Sequence, residues 1–139
     1  MRKNLSFAAA LLGILLFGGC RVGDVLGPDS NSISGTYELR TVNGRGLPAV
    51  LHQEPGYRLE VLNANFTFSR DGTYSEAGIV REIVNGSAST SSSSTNGYYE
   101  YYNGEITFQD NTGRTYYGSV DRNSLRVVDD GVMLIYQRY

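Results

Sequence analysis

Residues 98–108 form the most informative stretch of the chain, YYEYYNGEITF, with Asn103-Gly104 near its centre. An Asn-Gly pair between two aromatic and β-branched runs predicts a β-hairpin with a two-residue turn. In such a hairpin, a residue that lies a given number of positions before the turn pairs with the residue that lies the same number of positions after it. Tyr99 therefore faces Phe108. Polar and apolar side chains then separate onto opposite faces, as a correct register requires. The apolar face holds Tyr99, Tyr101, Ile106 and Phe108, and the other face holds Tyr98, Glu100, Tyr102, Glu105 and Thr107.

The chain after residue 33 repeats this organisation, and no window there has the periodicity of an amphipathic helix. Short aromatic and β-branched runs alternate with turn residues about every 8–12 positions, which is typical of an all-β sandwich or barrel. The sequence therefore predicts an antiparallel up-and-down meander of about eight to ten strands. The predicted cross-strand pairs are Phe68 with Tyr74 across Asp71-Gly72, and Val127 with Leu134 and Leu125 with Tyr136 across Asp130-Gly131.

Residues 85–96 interrupt the meander with the polar run NGSASTSSSSTN. No apolar side chain larger than alanine occurs there, so we predict a surface loop. A loop of this kind can drift in length at small energetic cost. An entrance flap and a glycosylated stretch are the functional alternatives.

Composition excludes several classes of protein. The chain has 139 residues, which argues for a single domain. Its formal net charge is −2 and no basic cluster follows residue 3, so we expect no nucleic-acid partner. One cysteine cannot form an internal disulfide, and one cysteine with one histidine cannot build the usual four-ligand zinc site.

The N-terminus has the features of an export signal: Arg2 and Lys3 precede an apolar run at residues 5–17, which is too short to span a membrane. Gly18-Gly19-Cys20 resembles a bacterial lipobox, which implies cleavage before Cys20 and acylation of that residue by chains such as palmitate. Dual or triple acylation anchors a protein stably. The alternative is an ordinary secretory signal with a spare cysteine.

This reading divides the chain into a lipoprotein signal peptide (residues 1–19), a flexible tether (20–33) and one β-barrel domain (34–139). By resemblance to the sorting signals of Gram-negative lipoproteins, Arg21 in place of aspartate implies an outer-membrane lipoprotein that faces the periplasm.

Several short motifs of the body resemble the small lipocalin-like, calycin-type lipoproteins of bacterial envelopes. They are Gly35-Thr36-Tyr37-Glu38-Leu39, Val42-Asn43-Gly44, Leu47-Pro48, Asp71-Gly72-Thr73-Tyr74 and Ile135-Tyr136-Gln137-Arg138. The resemblance spans residues 34–139 and implies a barrel of about eight strands around a side-chain-lined cup. Lipocalins pack an arginine of the last strand over a tryptophan of the first. The resemblance puts Tyr37 in the tryptophan position and makes Arg138 its partner.

Candidate catalytic and metal-binding groups have ordinary interpretations. His52 is expected to be an exposed residue before a Pro-Gly turn, close to Glu54, and the hairpin register puts Glu100 and Glu105 on the solvated face. Two acidic turns, at residues 110–113 and 129–131, could lend oxygens to calcium, but Asp, Asn and Gly are also common turn residues. We therefore expect no enzyme activity, no metal and no cofactor.

Two hypotheses for function follow. The first is a lipid-anchored barrel that binds a small apolar ligand in its cup. The cup would be lined by Tyr37, Leu39, Phe66, Phe68, Tyr99, Tyr101, Ile106, Phe108, Leu125, Val127, Leu134 and Tyr136. The second is a structural or interaction protein with a solid β-core, which contacts an envelope protein through the outward rings of Tyr98 and Tyr102. In both, acyl chains on Cys20 attach the protein to the membrane.

Overall fold

The computed structural model describes residues 33–139, which form a single antiparallel sheet of ten strands. The predicted signal peptide, Cys20 and the tether up to residue 32 lie outside the described residues. The strands are β1 (Gly35–Val42), β2 (Arg45–Gly46), β3 (Ala49–Glu54), β4 (Tyr57–Phe68), β5 (Thr73–Val84), β6 (Ser87–Tyr102), β7 (Glu105–Asp110), β8 (Thr115–Asp121), β9 (Ser124–Asp129) and β10 (Val132–Arg138).

The sheet closes into a barrel because β1 pairs with β10 on one side and with β4 on the other. Tyr37 lies opposite Phe66 in the closing β1–β4 ladder. Strands β1 and β4 to β10 therefore make an eight-stranded antiparallel ring, while β2 and β3 attach outside it. This confirms the predicted all-β meander and settles its closure as a barrel.

The predicted hairpins have the expected registers. Asn103 and Gly104 both have positive φ angles, 51° and 87°, as a two-residue turn of type I′ requires. Each of these pairs is observed: Tyr99 with Phe108, Tyr101 with Ile106, Phe68 with Tyr74, Val127 with Leu134, and Leu125 with Tyr136.

The serine-rich segment is a strand, and the predicted loop at residues 85–96 is wrong. Val84 pairs with Ser87 across a tight turn at Asn85-Gly86, where φ is 48° and 87°. From there β6 pairs with β5 through twelve consecutive positions. The segment is extended because backbone hydrogen bonds to β5 hold it, and these bonds do not need apolar side chains.

One end of β6 lies outside the ring. β6 pairs with β5 along β5's entire length, but its pairing with β7 begins at Gly97. Residues 87–96 therefore belong to a four-stranded blade of β3, β4, β5 and β6 that extends beyond the barrel. At Gly97 the strand passes from the blade into the ring.

The hydrophobic core fills the ring and continues toward the N-terminus. Ile33, which we predict to be part of the tether, is only 2% exposed, and its carbonyl oxygen accepts a hydrogen bond from the Tyr37 hydroxyl at 3.1 Å. The packed body therefore includes Ile33.

Candidate functional site

All twelve residues that we predicted to line the cup lie in or against the core of the barrel. Ten are buried, and Tyr101 and Leu134 are half-buried and pack against the others. The side-chain direction predicted from strand alternation is therefore correct for the whole set. Whether these residues surround a ligand cup depends on how closely they pack against one another.

Phe66 lies at the centre of this cluster and is completely buried. Its ring centroid is 5.1 Å from that of Phe68, 5.0 Å from Tyr74, 5.1 Å from Phe108 and 5.7 Å from Tyr136. These are contact distances for aromatic pairs. Phe66 is therefore in contact with all four of these rings at the centre of the barrel.

A second layer of rings extends the packing toward β8. Tyr116 stacks on Phe108 with centroids 4.7 Å apart, and its hydroxyl lies 2.8 Å from that of Tyr74. The predicted inward set does not include Tyr74 or Tyr116. Strand alternation could have found both, because Tyr74 faces Phe68 and Tyr116 faces Phe108 in the ladders.

A half-buried carboxyl group, that of Glu76 on β5, contacts the interior side chains and was not predicted from the sequence. Its Oε1 accepts a hydrogen bond from the Tyr136 hydroxyl across the barrel. Burial raises the pKa of Glu76, although the hydrogen bond from Tyr136 acts in the opposite direction. Alternation from Tyr74 predicts the inward direction of Glu76, but a charged residue on the inward face was not expected.

Replacing Glu76 with glutamine is expected to raise the melting temperature at neutral pH. The pKa of Glu76 is higher in the folded chain than its ordinary 4.5, so protonated Glu76 stabilises the fold relative to ionised Glu76. This stabilisation is complete below pH 4.5 and is lost as the pH rises through the raised pKa. Glutamine never ionises and keeps an acceptor for Tyr136. Thermal unfolding at a series of pH values should show the gain shrinking on acidification.

Glu100→Gln is the matched control, because Glu100 is exposed on the outer face of the sheet. A gain for Glu76→Gln that grows as the pH falls would contradict the explanation from desolvation of the Glu76 carboxylate.

The two acidic turns considered for calcium are joined by a single arginine. The Arg114 guanidinium contacts both carboxylate oxygens of Asp129 at 3.0 Å and Oδ2 of Asp110 at 3.3 Å. Oδ1 of Asp110 accepts hydrogen bonds from the backbone and hydroxyl of Thr112 and from the Arg114 amide. These hydrogen bonds lower the pKa of Asp110 to about 2. The bond from the Thr112 hydroxyl has the largest effect, and those from the two amides and from the Arg114 guanidinium add to it. Through these contacts the carboxylate oxygens of Asp110 and Asp129 hold the two turns together at one end of the barrel.

The other candidate groups are exposed. His52 Nε2 and Glu54 Oε2 are 3.8 Å apart with both side chains more than half exposed, and Glu100 and Glu105 are on the outer face as predicted. Among residues 33–139, no three His, Cys, Asp or Glu side chains come together as metal ligands.

The contact predicted between the first and last strands is present. The Arg138 guanidinium lies 5.9 Å from the centroid of the Tyr37 ring, and its Nη2 donates to the Ser34 carbonyl oxygen at 2.6 Å. This arginine covers the Tyr37 end of the core.

The outer face of β6, β7 and β8 carries the most exposed aromatic rings of the barrel wall. Tyr98, Tyr102 and Tyr117 are 68%, 83% and 63% exposed, and Val128, which pairs with Tyr117, is 41% exposed. Two shallow grooves of 290 and 210 Å³ lie on this face, and Thr107 lines both. We call Tyr98, Tyr102 and Tyr117 the tyrosine face. Tyr98 and Tyr102 were predicted to point outward, and they do.

These features define a closed, eight-stranded antiparallel β-barrel with a packed aromatic interior and an exposed tyrosine face. No helix within residues 33–139 is long and apolar enough to cross a membrane.

No family model and no curated protein matches the chain. Among solved structures, the chain is similar to the Cpx pathway activator NlpE from Escherichia coli at 20% identity and a TM-score of 0.40, with 58% of this chain and 40% of that one covered. A similarity at this level supports no inference about function.

Proposed function

We propose that this chain is a non-enzymatic interaction protein of the bacterial envelope, anchored by lipid on Cys20, whose solid barrel presents the tyrosine face to a protein partner. The observation that carries the proposal is the set of ring contacts around Phe66, which occupy the centre of the barrel. With the centre filled by the chain's own side chains, the outer surface becomes the region available for recognition.

The tyrosine face has the chemistry of a protein-binding surface. Tyrosine is enriched where proteins meet, because its ring offers a large apolar area and its hydroxyl offers a hydrogen bond. Next to the rings, the grooves are lined by polar and charged side chains, including Glu100, Glu105 and Arg126. Apolar anchors with polar groups around them match the usual organisation of an interface.

The anchor is proposed from the sequence. A short apolar run followed by Gly18-Gly19-Cys20 supports lipidation of Cys20, and Arg21 supports the outer membrane with the barrel in the periplasm. In this proposal the acyl chains hold the protein at the membrane while the barrel remains outside it.

Replacing both Tyr98 and Tyr102 with alanine is expected to reduce partner capture at least tenfold, because removal of one interface anchor costs about 2 kcal/mol or more. Capture would be measured by placing a photo-crosslinking residue at Thr107, between the two grooves, and identifying the crosslinked envelope protein. The melting temperature should stay unchanged, because both rings are exposed.

Tyr139→Ala is the matched control. Its side chain is 82% exposed, close to the 83% of Tyr102, but it lies at the C-terminus outside the tyrosine face. Capture that is equally strong in the double variant, the control and the unchanged chain would rule out this surface.

A further inference from the structure

The outer half of β6 has an open edge. Residues 87–96 pair with β5 on one side, whereas β7 begins to pair with β6 at Gly97. Within residues 33–139, no strand pairs with the other side of this segment. All residues from Ser87 to Ser94 are exposed.

The hydrogen bonds at the inner end of β6 show which backbone groups face the open side. The Tyr99 amide donates to Gly72 on the β5 side, whereas the Asn96 carbonyl accepts from Asn111 on the β7 side. Because these directions alternate along a strand, odd-numbered residues bond to β5 and even-numbered residues face the open edge. The N–H and C=O groups of Ala88, Thr90, Ser92 and Ser94 therefore point outward from the sheet.

This edge lacks the features that normally prevent strand pairing. Protected edges are short, bulged or charged, or they contain proline. The other edge strands of the described sheet have such features: β2 has two residues, and β3 has a register shift between Val50 and His52 and ends at a charged Glu54. Residues 87–96 contain no charge and no proline, and their ladder with β5 has no bulge.

We infer that this edge of β6 pairs with the same edge of a second copy of the chain, antiparallel and across a two-fold axis at Ser91. The four outward-facing residues are centred on Ser91, so this register alone pairs all of them: Ala88 with Ser94 and Thr90 with Ser92 of the second copy. Ser91 then lies opposite its own equivalent. The arrangement is self-complementary, as an interface in a two-fold dimer must be.

The side chains of the edge favour a second copy over a foreign strand. Every position from Ser87 to Thr95 is serine, threonine or alanine, so pairing sets short side chains against short side chains and opposes no like charges. The edge carries no charge or large apolar group that would select a different partner. Pairing would join two blades into one continuous eight-stranded sheet. It uses the outer end of β6 and leaves Tyr98 and Tyr102 free.

Single cysteines test the register directly, in the full chain with Cys20→Ser so that the introduced thiol is the only one. Ser91→Cys is expected to form a disulfide-linked dimer, because non-hydrogen-bonded antiparallel pairs have Cα atoms about 4.5 Å apart, within disulfide range. Ser89→Cys is the matched control. In the proposed register Ser89 faces Ser93 of the second copy. Residue 89 of the second copy lies four residues further along its strand, so the two introduced cysteines are roughly 14 Å apart.

Mixing Ser89→Cys with Ser93→Cys chains should restore crosslinking between the two variants. Crosslinking by Ser89→Cys alone as efficient as that by Ser91→Cys would overturn the proposed pairing.

Sedimentation equilibrium over a concentration series gives a second measurement. Thr90→Pro removes one N–H from the open edge without removing a bond to β5, and it should weaken dimerisation at least tenfold at an unchanged melting temperature. Ser92→Ala, on the same edge, should dimerise normally because it keeps its backbone N–H. A chain that stays monomeric at every concentration would overturn the inference, whether its edge stays open or is covered by residues that precede Ile33.

Discussion

Replacing Gly97 with alanine is expected to destabilise the chain by about 3 kcal/mol or more, at or beyond the upper end of the range for overpacked cores. A Cβ atom at this position would lie 2.1 Å from the Gln109 carbonyl oxygen and 2.8 Å from the Asp110 Cα. Both are backbone atoms, so a change of rotamer cannot relieve the contact. The strands would have to separate where β6 enters the ring.

Urea unfolding followed by circular dichroism would measure this loss. Gly46→Ala is the control: its Cβ meets no atom within 4 Å, and its φ angle is not in the left-handed region. We expect a change of less than about 0.5 kcal/mol there. Equal stabilities for the two variants would show that β6 and β7 do not approach as closely as described.

Replacing Phe66 with alanine is expected to reduce the free energy of unfolding by about 3–5 kcal/mol, the range for removing a buried aromatic ring. Four other rings contact Phe66 at 5.0–5.7 Å, and none of them can close the gap without losing its own contacts. Domains of this size are stable by about 5–15 kcal/mol, so the loss is a large share of the total.

The same unfolding experiment, with Tyr117→Ala as an exposed aromatic control, would measure this change. A loss below about 1 kcal/mol would mean that the rings around Phe66 do not form a close-packed core.

Local turn chemistry explains which parts of the fold could be predicted from the sequence. The two-residue turns at Asn103-Gly104 and Asp130-Gly131 fix their registers within a few residues, so the cross-strand pairs were correct. Asn85-Gly86 carries the same signal, but the serines after it lack apolar alternation, and that lack is the basis of the incorrect loop prediction. The turn pair was the better indicator, because backbone pairing with β5 holds the strand.

Closure and interior packing depend on contacts that are distant in the sequence. The pairing of Tyr37 with Phe66 completes the ring, and no local pattern distinguishes it from the open edge of a sandwich. The direction of each interior side chain follows from alternation. Whether those side chains leave a cup depends on the circumference of the barrel and on residues such as Tyr116 and Glu76, which were not predicted to lie inside.

The arginine bridge between the two acidic turns also depends on a contact that is distant in the sequence. Arg114 and Asp129 are 15 positions apart and meet because β7 to β10 bring their turns to one end of the barrel. In the sequence, Asp110 and Asp129 could equally have been oxygen donors for a cation.

In the proposed function, the barrel is filled by its own side chains and acts through its surface. Native mass spectrometry of the full chain with Cys20→Ser, purified from a bacterial host and then exposed to fatty acids and benzene, tests it most directly. We expect the bare mass of the chain, with benzene uptake appearing only in Phe66→Ala, because an apolar cavity of that kind binds benzene. An apolar adduct on the chain with Phe66 intact, lost on denaturation, would contradict the claim and establish a ligand cup.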